Sequence, residues 1–265
     1  MELKTDNKKT EMTFHGSMDL ASYIQDHHLG NSVSHEINHS FCPYTWDETK
    51  EAFLNGWTES EKIKINADSI DIMGDQASYG IEYDVTGDYI DMGACISGIP
   101  ECWGNIIEEP KAMKKAKVLV DFCAGSSVTP EQIENRGSAI IAMVDGLRNA
   151  GYYLEITISM LSIDNTYNGK DFQLNLIFET DNGYSRDVMA FCVAHPGMLR
   201  RITFAAMEKH FHKSVLGNYG TPKKPDVGGF DIVIPRILWS EKTWDTLESS
   251  KSEIEKIIKE YEGRE

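Results

Sequence analysis

Residues 116–161 read AKVLVDFCAGSSVTPEQIENRGSAIIAMVDGLRNAGYYLEITISML, and this stretch decides the fold. An apolar run, a small polar loop, a long amphipathic pattern, a glycine and a second apolar run follow one another. That is the order of a βαβ unit. Thr129 stands where an N-cap belongs, Pro130 at the first helical position and Gln132 at the third, which makes a capping box with a pre-set φ at its start. Ile133, Gly137, Ile140, Val144 and Leu147 recur at helical spacing and form one stripe, and Gly151 supplies the stop. Each of the four aliphatics contributes about 1.5–3 kcal/mol when buried, so packing on a sheet holds this helix more than propensity does. Gly137, Ser138, Ala139 and Ala142 are small enough to predict a close approach of the helix backbone to the strands. The flanking runs, Val118–Val120 and Ile156–Ile158, are mostly β-branched and suit strands buried on both faces, as in a parallel sheet.

Working outward, strands and helices alternate through the second half of the chain. Asp171–Thr180 reads as a strand joined to the previous one by a hairpin at Asn168-Gly169. Asp187–His195 reads as a helix interrupted at Pro196, Gly197–His212 as a second helix, Asp231–Ile234 as a short strand and Trp244–Glu262 as a terminal helix. Upstream, the first dozen residues are polar and read as a loose arm, and Ser17–His28 fits a helix. A second capping box, Thr45-x-x-Glu48, opens a helix over residues 45–57. Lys62–Asn66 and Tyr79–Val85 alternate as short strands. Residues 88–110 carry turn signals without a strong period and read as an ordered, packed loop with at most a short helix. The expected architecture is α/β: a central mixed, largely parallel sheet flanked by helices, Rossmann-like or A-domain-like, with a smaller α+β N-terminal part. Residues 1–110 would form that N-terminal region and 111–265 the core, or the whole would be a single domain.

Composition narrows the function. Twenty-six basic against 42 acidic residues give a net charge of −16, which argues against non-specific nucleic-acid binding, since that depends on neutralising phosphates with Lys and Arg. No apolar run reaches the roughly 18 residues of a membrane span, and the first residues lack the apolar core of a secretion signal. Five cysteines without metal-type spacing point to reduced, buried thiols in a cytoplasmic protein, and Cys95 and Cys102 match neither CxxC nor a zinc ribbon.

Three constellations could carry chemistry. His35-Glu36-Ile37-Asn38-His39 is formally H-E-x-x-H, which on a helix sets His35 and His39 to hold zinc and Glu36 to activate water. Its flanks are poor helix and Pro43 follows closely, so zinc hydrolysis is the alternative reading. The loop after the first central strand offers Asp121, Ser126 and Ser127 at a strand's carboxyl end, where Mg²⁺, an anion or a nucleotide could sit. The third is His195 with Arg200 and Arg201, a pair able to grip a carboxylate or phosphate. There is no Walker A, G-x-G-x-x-G or G-x-S-x-G, and no Ser or Cys has an identifiable base.

The blocks TWDETKEAFLNGW (45–57), GDYIDMGACISGIPECW (87–103), ENRGSAIIAMVDGLRNAGYYLEI (134–156) and FCVAHPGMLRRITFAAME (191–208) resemble a family of uncharacterised proteins of bacteriophages and mobile elements. Trp103 stands where that pattern has Met, and H-E-x-x-H lies upstream of it. The Asp121–Ser127 loop is also similar to the D-x-S-x-S site of von Willebrand factor A-type domains, although Cys123 and Gly125 occupy its serine positions. The resemblance implies phage or mobile-element origin and a host-cytoplasmic location, not a chemistry. The expected function is an interaction or assembly protein without complete catalytic machinery, meeting a phage or host protein partner at the Ser126 loop or around Trp103, with self-association left open. The alternatives are the zinc hydrolase and a nucleotide- or phosphate-binding enzyme using the Ser126 loop with Arg200 and Arg201.

Overall fold

The structure is a computed structural model and describes residues 1–26, 41–57, 70, 79–108, 114–163, 171–181, 184–211, 221–238 and 240–264. The chain divides into two compact units, Met1–Ile72 with Lys115–Glu265, and Met73–Lys114.

The large unit is built on a seven-stranded mixed sheet. The N-terminal residues belong to it rather than trailing as an arm. β1 (Glu2–Thr5) and β2 (Lys9–His15) form an antiparallel hairpin, turned at Asp6, whose carboxylate accepts the N–H groups of Lys8 at 2.6 Å and Lys9 at 2.7 Å. Met12 and Phe14 alternate into the core, which is the apolar signal inside that polar stretch. Helix α1 (Ser17–Ile24) follows, then α2 (Trp46–Asn55) with the Thr45/Glu48 capping box in place.

The 116–161 stretch forms the expected unit: β6 (Lys114–Asp121), a 20-residue helix over Pro130–Asn149 and β7 (Tyr152–Ile163). The Thr129 hydroxyl accepts the Gln132 N–H at 3.3 Å, the Gln132 side chain accepts the Thr129 N–H at 2.9 Å, and Gly151 takes φ 88°. β6 and β7 are neighbours, and the contacts Phe122 to Ser159 and Cys123 to Leu161 advance in the same direction along both, as a parallel pair requires. β8 (Asp171–Glu179) pairs antiparallel with β7 and parallel with β2. β9 (Thr221–Pro222) lies antiparallel on the end of β7, and β10 (Ile232–Ile234) lies parallel to β6. The strand order is β1-β2-β8-β7-β6-β10.

In the small unit the strand expected over 79–85 is present as β3 (Tyr79–Asp84), but the stretch from residue 88 is not only a packed loop with a short helix: β4 (Tyr89–Ile90), helix α3 (Met92–Ile96) and β5 (Trp103–Glu108) follow, and the three strands form an antiparallel sheet in the order β3-β5-β4. Its strands are too short and glycine-interrupted to give a clear period. The division also falls elsewhere than a 1–110/111–265 split, because β1 and β2 complete the large sheet.

With that helix named α4 (Pro130–Asn149), the later helices are α5 (Arg186–Ala194), α6 (Thr203–Phe211) and α7 (Leu247–Glu262). α4 packs against α5 and α7 as well as β7. Gly137 serves the helix contact rather than a strand contact. A Cβ there would lie 2.3 Å from Ala194 Cα and Cβ, so glycine is what lets the α4 and α5 backbones meet. Residues 197–211 do not run as one α-helix: Met198–Ile202 is a π-helical turn, and the α-helix begins at Thr203.

Candidate functional site

Residues singled out in the large unit converge at the carboxyl ends of its central strands. Asp121 ends β6 and is buried; its carboxylate accepts the Cys123 N–H at 3.2 Å. Burial pushes its carboxyl up to about 6, while the Cys123 amide and the nearby Arg136, Arg236 and Lys224 charges pull the other way. Arg136, on the buried side of α4, donates through Nη2 to the carbonyls of Asp121 at 2.9 Å, Pro235 at 2.8 Å and Ile234 at 3.4 Å. It ties the ends of β6 and β10 to the helix that crosses over them. Cys123 Sγ donates to the Leu161 carbonyl at 3.0 Å and receives the Leu161 N–H at 3.1 Å, and burial pushes this thiol up to about 12, where it is no nucleophile at neutral pH.

Ser126 and Ser127 are exposed at the tip of the following loop, whose underside is held by Arg200. Arg200 Nη2 donates to the carbonyls of Val128 at 2.6 Å and Gly125 at 3.4 Å, and Nη1 to the carbonyl of Phe41, whose ring lies 4.1 Å from the guanidinium carbon. Arg201 donates through Nε and Nη2 to the Tyr44 carbonyl at 3.4 and 3.2 Å. Both arginines are almost fully buried, on the wider π-helical turn that admits two adjacent inward-pointing guanidiniums. His195 is buried between aromatic rings, with centroids 4.2 Å from Tyr44, 4.6 Å from Phe191 and 4.9 Å from Trp57. Its Nδ1 accepts the Gly197 N–H at 3.0 Å, and burial lowers its pKa to about 3, so the ring is neutral.

The structure therefore brings Asp121, Ser126, Ser127, Arg200, Arg201 and His195 into one connected region, in which the cations face backbone carbonyls. These donors do not fit Mg²⁺. Asp121 is turned toward its own backbone among three positive charges, and the two serines are at the surface while the carboxylate is inside. Residues 123–128, 41–44 and 195–201 are fastened to one another here, which is a structural junction. His35, Glu36 and His39 lie outside the described residues, as does the 62–66 strand expectation.

Trp103 belongs to the small unit, and there the surface is of another kind. Ten of the seventeen exposed large hydrophobic side chains among the described residues fall between Ile81 and Ile106. Strand register explains four of them. Ile81 is opposite Ile106, while Tyr83 and Tyr89 flank Gly104 from either side, so these four side chains share one face of the sheet. They are 56, 61, 46 and 37 % exposed in that order. Gly104 makes room for the arrangement, since a Cβ there would lie 2.4 Å from the Tyr89 ring. Trp103, Ile90, Glu82 and Asp84 lie on the other face, and Ile96 in α3 and Ile99 in the turn after it are exposed as well. Residues 79–108 contain six acidic side chains (Glu82, Asp84, Asp88, Asp91, Glu101, Glu108) and no Lys, Arg or His. Sequence reasoning named Trp103 but not Ile81, Tyr83, Tyr89 or Ile106. The wholly acidic composition of these thirty residues was the signal that could have found them.

A family model described as a domain of unknown function (DUF7192) matches residues 4–263. No curated protein and no solved structure matches the chain. Among the described residues no helix is long and apolar enough to cross a membrane.

Proposed function

The chain belongs to the family of the domain of unknown function (DUF7192), and on that premise we propose that it is a non-enzymatic interaction or assembly protein whose small unit docks a cationic, amphipathic protein segment. The observation that carries this reading is the sheet face of Ile81, Tyr83, Tyr89 and Ile106, apolar and exposed within a segment whose only charges are negative. Monomeric proteins leave few contiguous apolar patches uncovered, and aromatic side chains are enriched at the cores of interfaces. The charge chooses the occupant. A second copy would bring six more acids to the same face, and nucleic acid or an anionic membrane would be repelled, whereas Lys and Arg around an apolar stripe would be steered and held.

The resemblance to phage and mobile-element proteins supports a setting inside a host cell, with the partner drawn from phage or host. The α/β core is the scaffold in this reading. The strand order β8-β7-β6-β10, with β8 antiparallel and the 122–128 loop at the carboxyl end of β6, supports likening it to an A-type domain in which Arg136, Arg236 and Lys224 stand where a metal would otherwise gather carboxylates.

The test is fluorescence anisotropy with two labelled amphipathic peptides that share one apolar face, one lysine-rich and one glutamate-rich. The lysine-rich peptide binds, more weakly as salt rises, and the I81S/I106S double variant loses that binding while its thermal midpoint stays put. Equal binding of both peptides, or binding indifferent to the double substitution, overturns the proposal.

A further inference from the structure

Two of the five cysteines lie in the small unit, seven residues apart, and the fold brings them together. Asp91 holds both. Its N–H donates to the Cys102 carbonyl at 2.7 Å, and its carbonyl accepts the Cys95 N–H at 2.9 Å. Between them the chain passes through α3 and a tight turn in which Gly98, at φ 75°, donates its N–H to the Cys95 carbonyl at 3.0 Å. The thiols lie close enough for Cys95 to add, after burial, to the rise in the Cys102 thiol's pKa. Cys95 is exposed and Cys102 is buried. A disulfide needs Cα atoms within about 7 Å of one another, and two backbones bonded to one residue bring the pair toward that span.

We propose that Cys95 and Cys102 are a redox modification site, an exposed thiol and its resolving partner, that closes reversibly to a disulfide when the protein meets a hydroperoxide. The chemistry balances in two steps. The Cys95 thiolate attacks the outer peroxide oxygen, the O–O bond breaks, and the departing oxygen leaves as water or alcohol, giving a sulfenic acid. The Cys102 sulfur then attacks the Cys95 sulfur, the S–O bond breaks, and a second molecule of water carries off the remaining oxygen with the thiol proton. Two electrons pass from the two sulfurs to one peroxide, and a reducing thiol restores both.

The other cysteines are built differently. Cys42, Cys123 and Cys192 are buried in the large unit; Cys123 is engaged on both sides by Leu161, and burial raises the Cys192 thiol. Among the described residues Cys95 is the one exposed cysteine, and Cys102 is held through Asp91 beside it. The bond would tie the turn that displays Ile96 and Ile99. The site stands whether or not the neighbouring sheet face docks a partner.

The test uses the full chain. The protein is treated with hydrogen peroxide, alkylated with N-ethylmaleimide in denaturant, and mapped by non-reducing peptide mass spectrometry. Cys95 and Cys102 appear in one linked species, two hydrogens lighter, that dithiothreitol converts to two alkylated thiols, while Cys42, Cys123 and Cys192 remain alkylated throughout. Cys102→Ser leaves a dimedone adduct on Cys95, and Cys95→Ser abolishes both linkage and adduct, with circular dichroism confirming that each variant is folded. Cys95 accumulating as sulfinic acid in the unsubstituted protein, a bond from either residue to a different cysteine, or both remaining alkylatable would overturn the assignment.

Discussion

Arg200 and Val128 are seventy-two positions apart in sequence, and Nη2 of the one donates to the carbonyl of the other at 2.6 Å. That contact, with those to Gly125 and Phe41, holds the 123–128 loop from beneath and makes its backbone part of the core. An arginine of this kind has its donors committed before any ligand arrives.

Arg200→Ala is therefore expected to lower stability by about 3 kcal/mol, since buried carbonyls left without donors cost about 1–3 kcal/mol each and some will find water. Arg200→Lys should lose nearly as much, because one ammonium cannot span carbonyls on two segments. Urea unfolding measures both, and hydrogen exchange of the 123–128 amides should quicken in step. A stable Arg200→Ala variant would return this residue to the candidates for anion binding.

His195 predicts a pH dependence. Its folded pKa of about 3 lies below the unfolded value of roughly 6.5, so the unfolded chain binds the proton more readily and stability falls as pH drops from about 6.5 toward 3. His195→Asn keeps an acceptor for the Gly197 N–H but leaves space among Tyr44, Trp57 and Phe191, costing about 2 kcal/mol at pH 7. The gap between wild type and variant should narrow on acidification. Parallel stability–pH curves would show that the ring does not carry this term.

Asp121 acts with the opposite sign. Its pKa is raised to about 6 from an unfolded value of roughly 3.9, so the folded state binds the proton more tightly, and stability is lost as pH rises through that interval. Asp121→Asn preserves an acceptor for the Cys123 N–H. It should become more stable relative to wild type between pH 4 and pH 7, by about 1–3 kcal/mol at the upper end. Chemical denaturation across that range reads it directly. A variant less stable than wild type at pH 7 would mean that Arg136, Arg236 and Lys224 depend on the charge.

At Gly137 the packing argument is geometric. Ala gains about 1 kcal/mol of helix propensity over Gly, but the added methyl would meet Ala194 at 2.3 Å. Overpacking of this order costs about 1–3 kcal/mol and here exceeds the gain because backbone atoms must move. The melting temperature of Gly137→Ala should fall, and adding Ala194→Gly should recover part of the loss. An unchanged midpoint in Gly137→Ala would place the helices further apart.

Much of the large unit could be read from sequence because its signals are local. Thr129, Pro130, Gln132 and Gly151 each act within one turn of the chain, and the stripe from Ile133 to Leu147 is a property of one helix. The hairpin at the N-terminus was missed because its two inward residues, Met12 and Phe14, sit among charges and only the neighbouring β8 gives them a face to fill. Composition likewise fixed the acidity of residues 79–108.

What no local pattern contains is which side chains end up facing one another. Arg200 and Arg201 read as an anion grip because adjacency of positive charge is visible in sequence, whereas the carbonyls they satisfy come from Phe41, Tyr44, Gly125 and Val128. Cys95 and Cys102 read as unrelated thiols until the backbone of Asp91 drew them together. Ile81, Tyr83, Tyr89 and Ile106 become one face only once strand register is set. The sequence by itself determined the α/β class, the caps, the stops and the charge, because these follow from short-range sterics and counting. Tertiary structure alone decided which buried charges are spent on the fold and which apolar side chains are left uncovered, because burial and pairing depend on residues far apart in the chain.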